Sequence, residues 1–186
     1  MSENLPNPPF AHLRLHTEFS INDGIVTIKP LIARLRENSM PAVAITDLAN
    51  MFSLIKFYTA SLKAGIKPVC GCDVLVESDD GSKQTRLVLL VKSQAGYLSL
   101  TKLISELYTE NPSQSEPSVC KSQLAGRVDG LIALSGAQNS DIGQALLADE
   151  KDLAKELLAE WEQLFPPSFY LELQRVGKAE EEDYID

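Results

Sequence analysis

Residues Ala42-Val-Ala-Ile-Thr46 form a short apolar run between Pro41 and Asp47. A run this short, with no polar break and two β-branched residues beside Thr46, has the pattern of a strand covered on both faces, as strands are in a parallel sheet. The flanking sequence fits that placement. Residues 51–63 have helical periodicity and lead to Gly65, suited to the left-handed residue that ends a helix. Residues 67–76 then read as a strand. Upstream, a helix opens near Thr27 with Leu31, Ile32 and Leu35 on one face. Before it, Phe10-Ala-His-Leu-Arg-Leu-His16 alternates in polarity as a short strand.

The alternation continues downstream. Asp79-Asp-Gly81 is a turn signal of the hairpin or tight-loop kind. Leu87-Val-Leu-Leu-Val91 and Gly130-Leu-Ile-Ala-Leu-Ser135 are buried strands. Residues 95–108 form an amphipathic helix, and 111–118, with Pro112, Pro117 and three Ser, a surface loop. Residues 141–147 and 151–164 are helical, ending before Pro166-Pro167, and Phe169-Tyr-Leu-Glu-Leu-Gln174 is a last strand. Strand followed by helix, about six times over, predicts an α/β fold with a mostly parallel sheet. An open doubly wound sheet and a β/α barrel both fit. No GxGxxG or P-loop spacing follows the first strand, which removes the commonest nucleotide-binding form of the open sheet. A barrel uses about seven or eight strands, so on that reading the chain stops before closure. Residues 1–9 are polar and Pro-rich and read as a flexible lead-in to one domain over 10–186.

Composition narrows the function classes. The chain has 186 residues, 44% hydrophobic and 23% charged, as in globular domains, and a net charge of −9. Twelve acidic and four basic side chains fall in 149–186, so the first 148 residues are close to neutral. Neither part has the net basic balance of a domain that grips DNA alone. Three Cys argue against a disulfide framework and for a reducing cytosol. No apolar run reaches the length of a membrane span, and the first residues lack the pattern of a secretory signal.

Four polar groups fall at or just after expected strand ends: His16, Asp23, Asp47 and Asp73. Together they could hold Zn²⁺ or Mn²⁺ and activate a water for phosphoester hydrolysis. The plainer reading makes Asp47 a helix cap and Asp23 part of an Asn-Asp-Gly turn. His12 and His16 are about 13 Å apart along a strand and cannot share an ion. Arg14, two residues before His16, is a permanent cation and opposes a metal there. Cys70-Gly-Cys72 lacks a second ligand pair and reads as two small buried side chains. Cys120 is isolated, Trp161 has the helical spacing of a core residue, and Glu180-Glu-Glu-Asp183 reads as a solvated helix start.

Several ordered segments resemble one family. His12-Leu-Arg-Leu-His-Thr-Glu-Phe-Ser20 with Asp23-Gly24 resembles the opening of the polymerase and histidinol phosphatase (PHP) domain, in the version at the N-terminus of bacterial replicative DNA polymerase III alpha subunits. Ala44-Ile-Thr-Asp-Leu-Ala-Asn-Met-Phe52 is similar to its second motif, and Gly65-Ile-Lys-Pro-Val-Cys-Gly-Cys-Asp73 to its third. Leu89-Leu-Val-Lys with Gly96-Tyr97, Gly130-Leu-Ile-Ala-Leu-Ser135 and Tyr170-Leu-Glu-Leu-Gln174 follow in order.

The resemblance implies a distorted (βα)7 barrel, truncated here before its last strand, with a metal cluster at the mouth in metal-binding members. Of those ligands His16, Asp23 and Asp73 remain, as remnants expected to hold no metal. Arg14, Leu48, Ala137 and Val176 stand where others are usual. The implied role is therefore structural, with no catalytic residue and no cofactor in this segment. Its partners are the remainder of the polymerase alpha subunit and a proofreading exonuclease subunit, with DNA reached only through the full polymerase, in the cytoplasm. The parent is a DNA-directed DNA polymerase, a nucleotidyltransferase of the replisome, whose catalytic carboxylates lie outside this stretch. The alternative is an active metal-dependent phosphoesterase, proofreading or pyrophosphate-cleaving, using Zn or Mn.

Overall fold

The computed structural model describes residues 10–21, 23–78, 81, 83–110, 117–177 and 181–185. The expected lead-in 1–9 lies outside the described residues, as do 111–116 of the expected loop and Asp79 and Asp80 of the expected turn.

Six strands form one sheet. β1 (Ala42–Ile45) runs parallel to the first part of β2 (Lys67–Glu77), with Ile45 opposite Cys70. β2 continues past that pairing and returns antiparallel as β3 (Gln84–Val91), with Gly71 opposite Leu90. β4 (Ser118–Cys120) joins the far end of β2, parallel, with Leu75 opposite Ser118. β3 then pairs antiparallel with β5 (Leu131–Leu134), and β5 parallel with β6 (Phe169–Tyr170). The α/β class holds, but the uniform strand–helix alternation does not. β2 and β3 are joined by six residues, too few for a parallel crossover, so β3 must run antiparallel.

Two expected strands are shorter than their polarity patterns. Residues 10–16 run beside β1, where Ala44 N–H donates to the His12 carbonyl (2.8 Å) and Thr46 N–H to that of Leu15 (2.9 Å). Three residues here span two on β1, which is a bulge. The Leu15 N–H is taken by Thr46 Oγ1 at 2.9 Å, so the regular ladder stops there. At the other end only Phe169–Tyr170 is paired, and Leu171 and Leu173 are exposed.

Helices cover one face of the sheet. α1 (Ile28–Glu37) and α2 (Leu54–Lys63) place Ile28, Ile32, Leu35 and Phe57 against Val43, Ile45 and Ile66. α2 ends as expected, with Gly65 left-handed at φ 73°. α3 (Gln94–Glu110) packs Leu100, Leu103 and Leu107 into the larger core with Val74, Leu87 and Leu89. A short α4 (Lys121–Leu124) precedes β5. α5 (Asp141–Leu147) and α6 (Lys151–Leu164) add Ile142, Ala145 and Trp161 to that core, so Trp161 is a packing residue, stacked on Phe169 at 5.9 Å. Cys72 lies fully buried in the same cluster, whereas Cys70 is only half-buried, so the reading of two buried side chains holds for Cys72 alone. α7 (Glu181–Ile185) closes the described chain. Of the expected solvated acidic start, Glu180 lies outside the described residues, Glu182 and Asp183 are exposed as expected, and Glu181 is corrected. Glu181 is buried, and its carboxylate accepts from the backbone N–H groups of Val176 (2.7 Å) and Gly177 (2.9 Å).

The other sheet face is concave. Period-two alternation along β2 sends Cys72, Val74 and Val76 to the helices and Val69 and Asp73 inward. Ala44, Val88, Leu90 and Leu134 form a small inner cluster. Gly71 stands among them because a Cβ there would come within 2.6 Å of the Leu89 carbonyl oxygen. The first and last segments of the sheet approach one another, and Arg14 Nη1 reaches Glu172 Oε2 at 3.1 Å across the gap. The sheet is thus an incompletely closed barrel, and Asp73, His16 and Asp23 lie at one mouth of it.

Candidate functional site at the barrel mouth

Asp73 is the centre of the site. It was expected at a strand end but lies within β2, because β2 runs on to form the hairpin. Relative to β1 it is still at the C-terminal level, since its backbone N–H donates to the Asp47 carbonyl at 3.2 Å. Its side chain is fully buried. Oδ2 accepts from Arg14 Nε (3.1 Å) and Nη2 (2.6 Å), from Arg86 Nη1 (3.2 Å), and is 3.0 Å from His16 Nε2. Oδ1 is buried and accepts from no described residue.

The network extends outward from this carboxylate. His16 Nδ1 is 2.9 Å from Asp23 Oδ2, and Arg86 reaches the same oxygen at 3.3 Å. Arg14 continues to Glu172. Three carboxylates, two guanidinium groups and one imidazole therefore alternate in sign across β2, β3, the segment before α1 and the segment after β6. Burial alone drives the Asp73 pKa up. The His16 hydrogen bond and the charges of Arg14 and Arg86 outweigh it, so the carboxyl is held below its usual range. Burial pushes His16 the other way, down, but its bonds to Asp73 and Asp23 prevail and its pKa is raised.

Asp47 does not join this group. It is buried, and Oδ1 accepts from Thr17 N–H (2.6 Å), Thr17 Oγ1 (2.8 Å) and Ser20 Oγ (3.0 Å). Its other oxygen accepts from Thr17 Oγ1 and Ser53 Oγ. With its lone pairs so occupied, Asp47 pins the 3-10 turn Glu18–Ser20 to β1 and the start of α2. This differs from the helix-cap reading, because the groups that reach Asp47 are side-chain hydroxyls and the distant Thr17 N–H rather than the first N–H groups of α2. His12 also lies apart, exposed and edge-on to Phe10 at 5.0 Å.

Two members escaped the sequence reading. Arg86 interrupts an otherwise apolar inward row, with Val88 and Leu90 at the following alternate positions. Glu172 alternates with Tyr170 and Gln174. For Arg86 the available signal was a charged residue in register with an inward-facing strand row; Glu172 lies beyond the paired residues of β6 and carried no such signal.

The PHP domain family model matches residues 12–176. The chain belongs to the PHP domain family. Among curated proteins it is 44% identical over 177 residues to DNA polymerase III subunit alpha of Pseudomonas aeruginosa, which covers 95% of this chain and 15% of that protein. It is 38% identical to the Vibrio cholerae subunit and 39% identical to that of Escherichia coli K12, each over 97% of this chain and 16% of the relative. The chain thus spans about one sixth of the length of these relatives. A crystal structure of a protein from Bifidobacterium adolescentis superposes with a TM-score of 0.50 at 13% identity. It covers 91% of this chain and 89% of that one, a likeness of fold.

The PHP donor set here does not fit a metal ion. His16, Asp23 and Asp73 are bound to each other and to two guanidinium groups that share the same carboxylate oxygens. A divalent ion at Asp73 Oδ2 would face Arg14 and Arg86 at contact distance, with like charge and no solvent between. Leu48 offers no lone pair, and its N–H donates to Ser20 Oγ at 3.0 Å. Ala137 is buried without a donor side chain, and Val176 is exposed.

Proposed function

We propose that this chain is the PHP domain of a replicative DNA polymerase III alpha subunit and acts there as a catalytically inactive scaffold. The observation that carries the reading is the pair Arg14 and Arg86 on Asp73 Oδ2, two fixed cations where a metal-dependent hydrolase needs its ion. The high identity to alpha subunits across nearly the whole chain supports the assignment to a polymerase. On this reading residues 10–186 are one PHP domain that packs against the rest of the alpha subunit and docks a proofreading exonuclease subunit. It requires no cofactor, it meets DNA only through the complete polymerase, and it works in the cytoplasm. Among the described residues no helix is long and apolar enough to cross a membrane.

The test is hydrolysis of a chromogenic phosphodiester by the full chain with excess Mn²⁺ or Zn²⁺. The reading predicts no rate above metal alone. A metal-dependent rate abolished by His16→Ala would establish the phosphoesterase reading instead. Asp73 Oδ1, a buried oxygen with no described partner, is the one feature favouring that alternative. A single carboxylate oxygen falls short of the three protein ligands such sites use.

A further inference from the structure

The outer face of α1 and α2 carries apolar surface that nothing in the fold covers. Ile55, Thr59 and Leu62 follow one another at helical spacing on α2, with Phe52 in the turn before it. Phe52 is 67% exposed, Ile55 74% and Leu62 55%. Beside this stripe lies a groove of about 700 Å³ between the first turn of α1 and the length of α2. Its apolar wall is Ile28, Pro30, Ile55 and Ala60. Isolated exposed apolar residues are ordinary, but a stripe continuous with an apolar groove marks an interaction surface.

The charge around it runs against the rest of the molecule. The whole chain is −9, yet the groove is lined by Lys29, Lys56 and Lys63 against one acid, Glu18. Lys56 on its wall also packs against a residue outside the lining, its ammonium 5.0 Å from the centre of the Phe19 ring. Directly beneath, Ile32, Leu35, Phe57 and Ile66 form a packed core, so the two helices present a fixed platform. An apolar groove of this length, rimmed by three lysines, is complementary to an amphipathic helix with apolar residues at i, i+3 or i+4, and i+7 and carboxylates on its flanks.

We infer that the α1–α2 groove docks an acidic amphipathic helix from a second protein. The inference rests on the scaffolding role proposed above and adds the surface and the chemistry of what it holds. It does not involve the barrel-mouth network, so phosphodiester hydrolysis tests the scaffolding role while peptide binding tests this surface.

The probe is a synthetic fluorescein-labelled helical peptide with Leu at the three anchor positions and Glu at its flanks, beside a second peptide with Lys replacing each Glu. Anisotropy titrations of the full chain should show the Glu peptide binding at least ten-fold tighter than the Lys peptide, weakening as salt is raised. Ile55→Ser with Leu62→Ser should abolish binding of both. Lys56→Glu with Lys63→Glu should reverse the preference, a gain that misfolding cannot produce. Equal affinities for the two peptides, or an unchanged preference in the charge-reversed variant, would overturn the inference. So would concentration-dependent self-association lost in the Ile55→Ser, Leu62→Ser variant, which would make the occupant a second copy of this chain.

Discussion

Arg14 is the residue on which the mouth turns. It is linked to a fully buried carboxylate on one side and to Glu172 on the other. Removing one partner of a buried ion pair leaves the other charge without compensation. Arg14→Ala should therefore destabilise the chain by about 2–3 kcal/mol, somewhat below the usual penalty because His16 and Arg86 still contact Asp73. Urea unfolding followed by circular dichroism measures this directly. Lysine at the same position should recover only part of the loss, since it cannot supply the forked contact. Asp47→Ala should cost more, about 3–5 kcal/mol, because it strands three hydroxyls and a backbone N–H in the interior. The sequence showed Arg14 at once, because it breaks a ligand pattern. It could not show that the arginine joins Asp73 to Glu172, 158 residues away, since that depends on how far the sheet curls.

At the scale of elements, the strands that read clearly were those with a continuous apolar run. β1, β3 and β5 are each covered by helices on one face and by the inner cluster on the other. α5 and α6 have the boundaries that their periodicity and the following prolines indicate. The edge segments read less well. Residues 10–16 and 169–174 have the alternation of strands, but a ladder also needs a neighbour, and neighbours are a property of topology. β4 was missed because three residues carry no periodic signal. The antiparallel hairpin had a visible turn signal at Asp79-Asp-Gly81, which the expectation of a parallel sheet overrode. Gly136 shows how these elements set the site. It follows β5 at φ 86°, and a Cβ there would lie 2.4 Å from the Arg86 carbonyl oxygen. Gly136→Ala should cost about 2 kcal/mol or more through strain and the displaced β3 backbone. Differential scanning calorimetry should show the lowered Tm, and the loss should be larger than for Gly65→Ala, where a Cβ meets nothing within 4 Å.

For the whole molecule, the charge network joins the two ends of the curled sheet, so stability should follow its protonation. Asp73 titrates below its unfolded value in the folded state. Its contribution is present above the ordinary carboxylate range, near pH 4, and is lost as pH falls through the lowered folded value. His16 has the opposite sign. Its raised pKa contributes stability that is complete below about pH 6.5 and disappears as pH rises through the folded value. The stability difference between the native chain and His16→Asn should accordingly shrink as pH rises above about 6.5, as urea midpoints at each pH will show. Glu172→Gln should open the gap between the first and last strands, with faster amide exchange at both edges and a global loss of only about 1 kcal/mol, because that pair is partly solvated.

Fixed cations at this mouth should leave the native chain indifferent to metal. A thermal melt of the full chain, with and without excess Zn²⁺ or Mn²⁺, tests it most directly. An ion bound at a hundred times its Kd adds about 2.7 kcal/mol, which is several degrees of Tm for a chain of this size. No shift is expected for the native chain, and a metal-dependent rise only when Arg14→His and Leu48→His are combined. A rise of several degrees in the native chain, lost in His16→Ala, would contradict it.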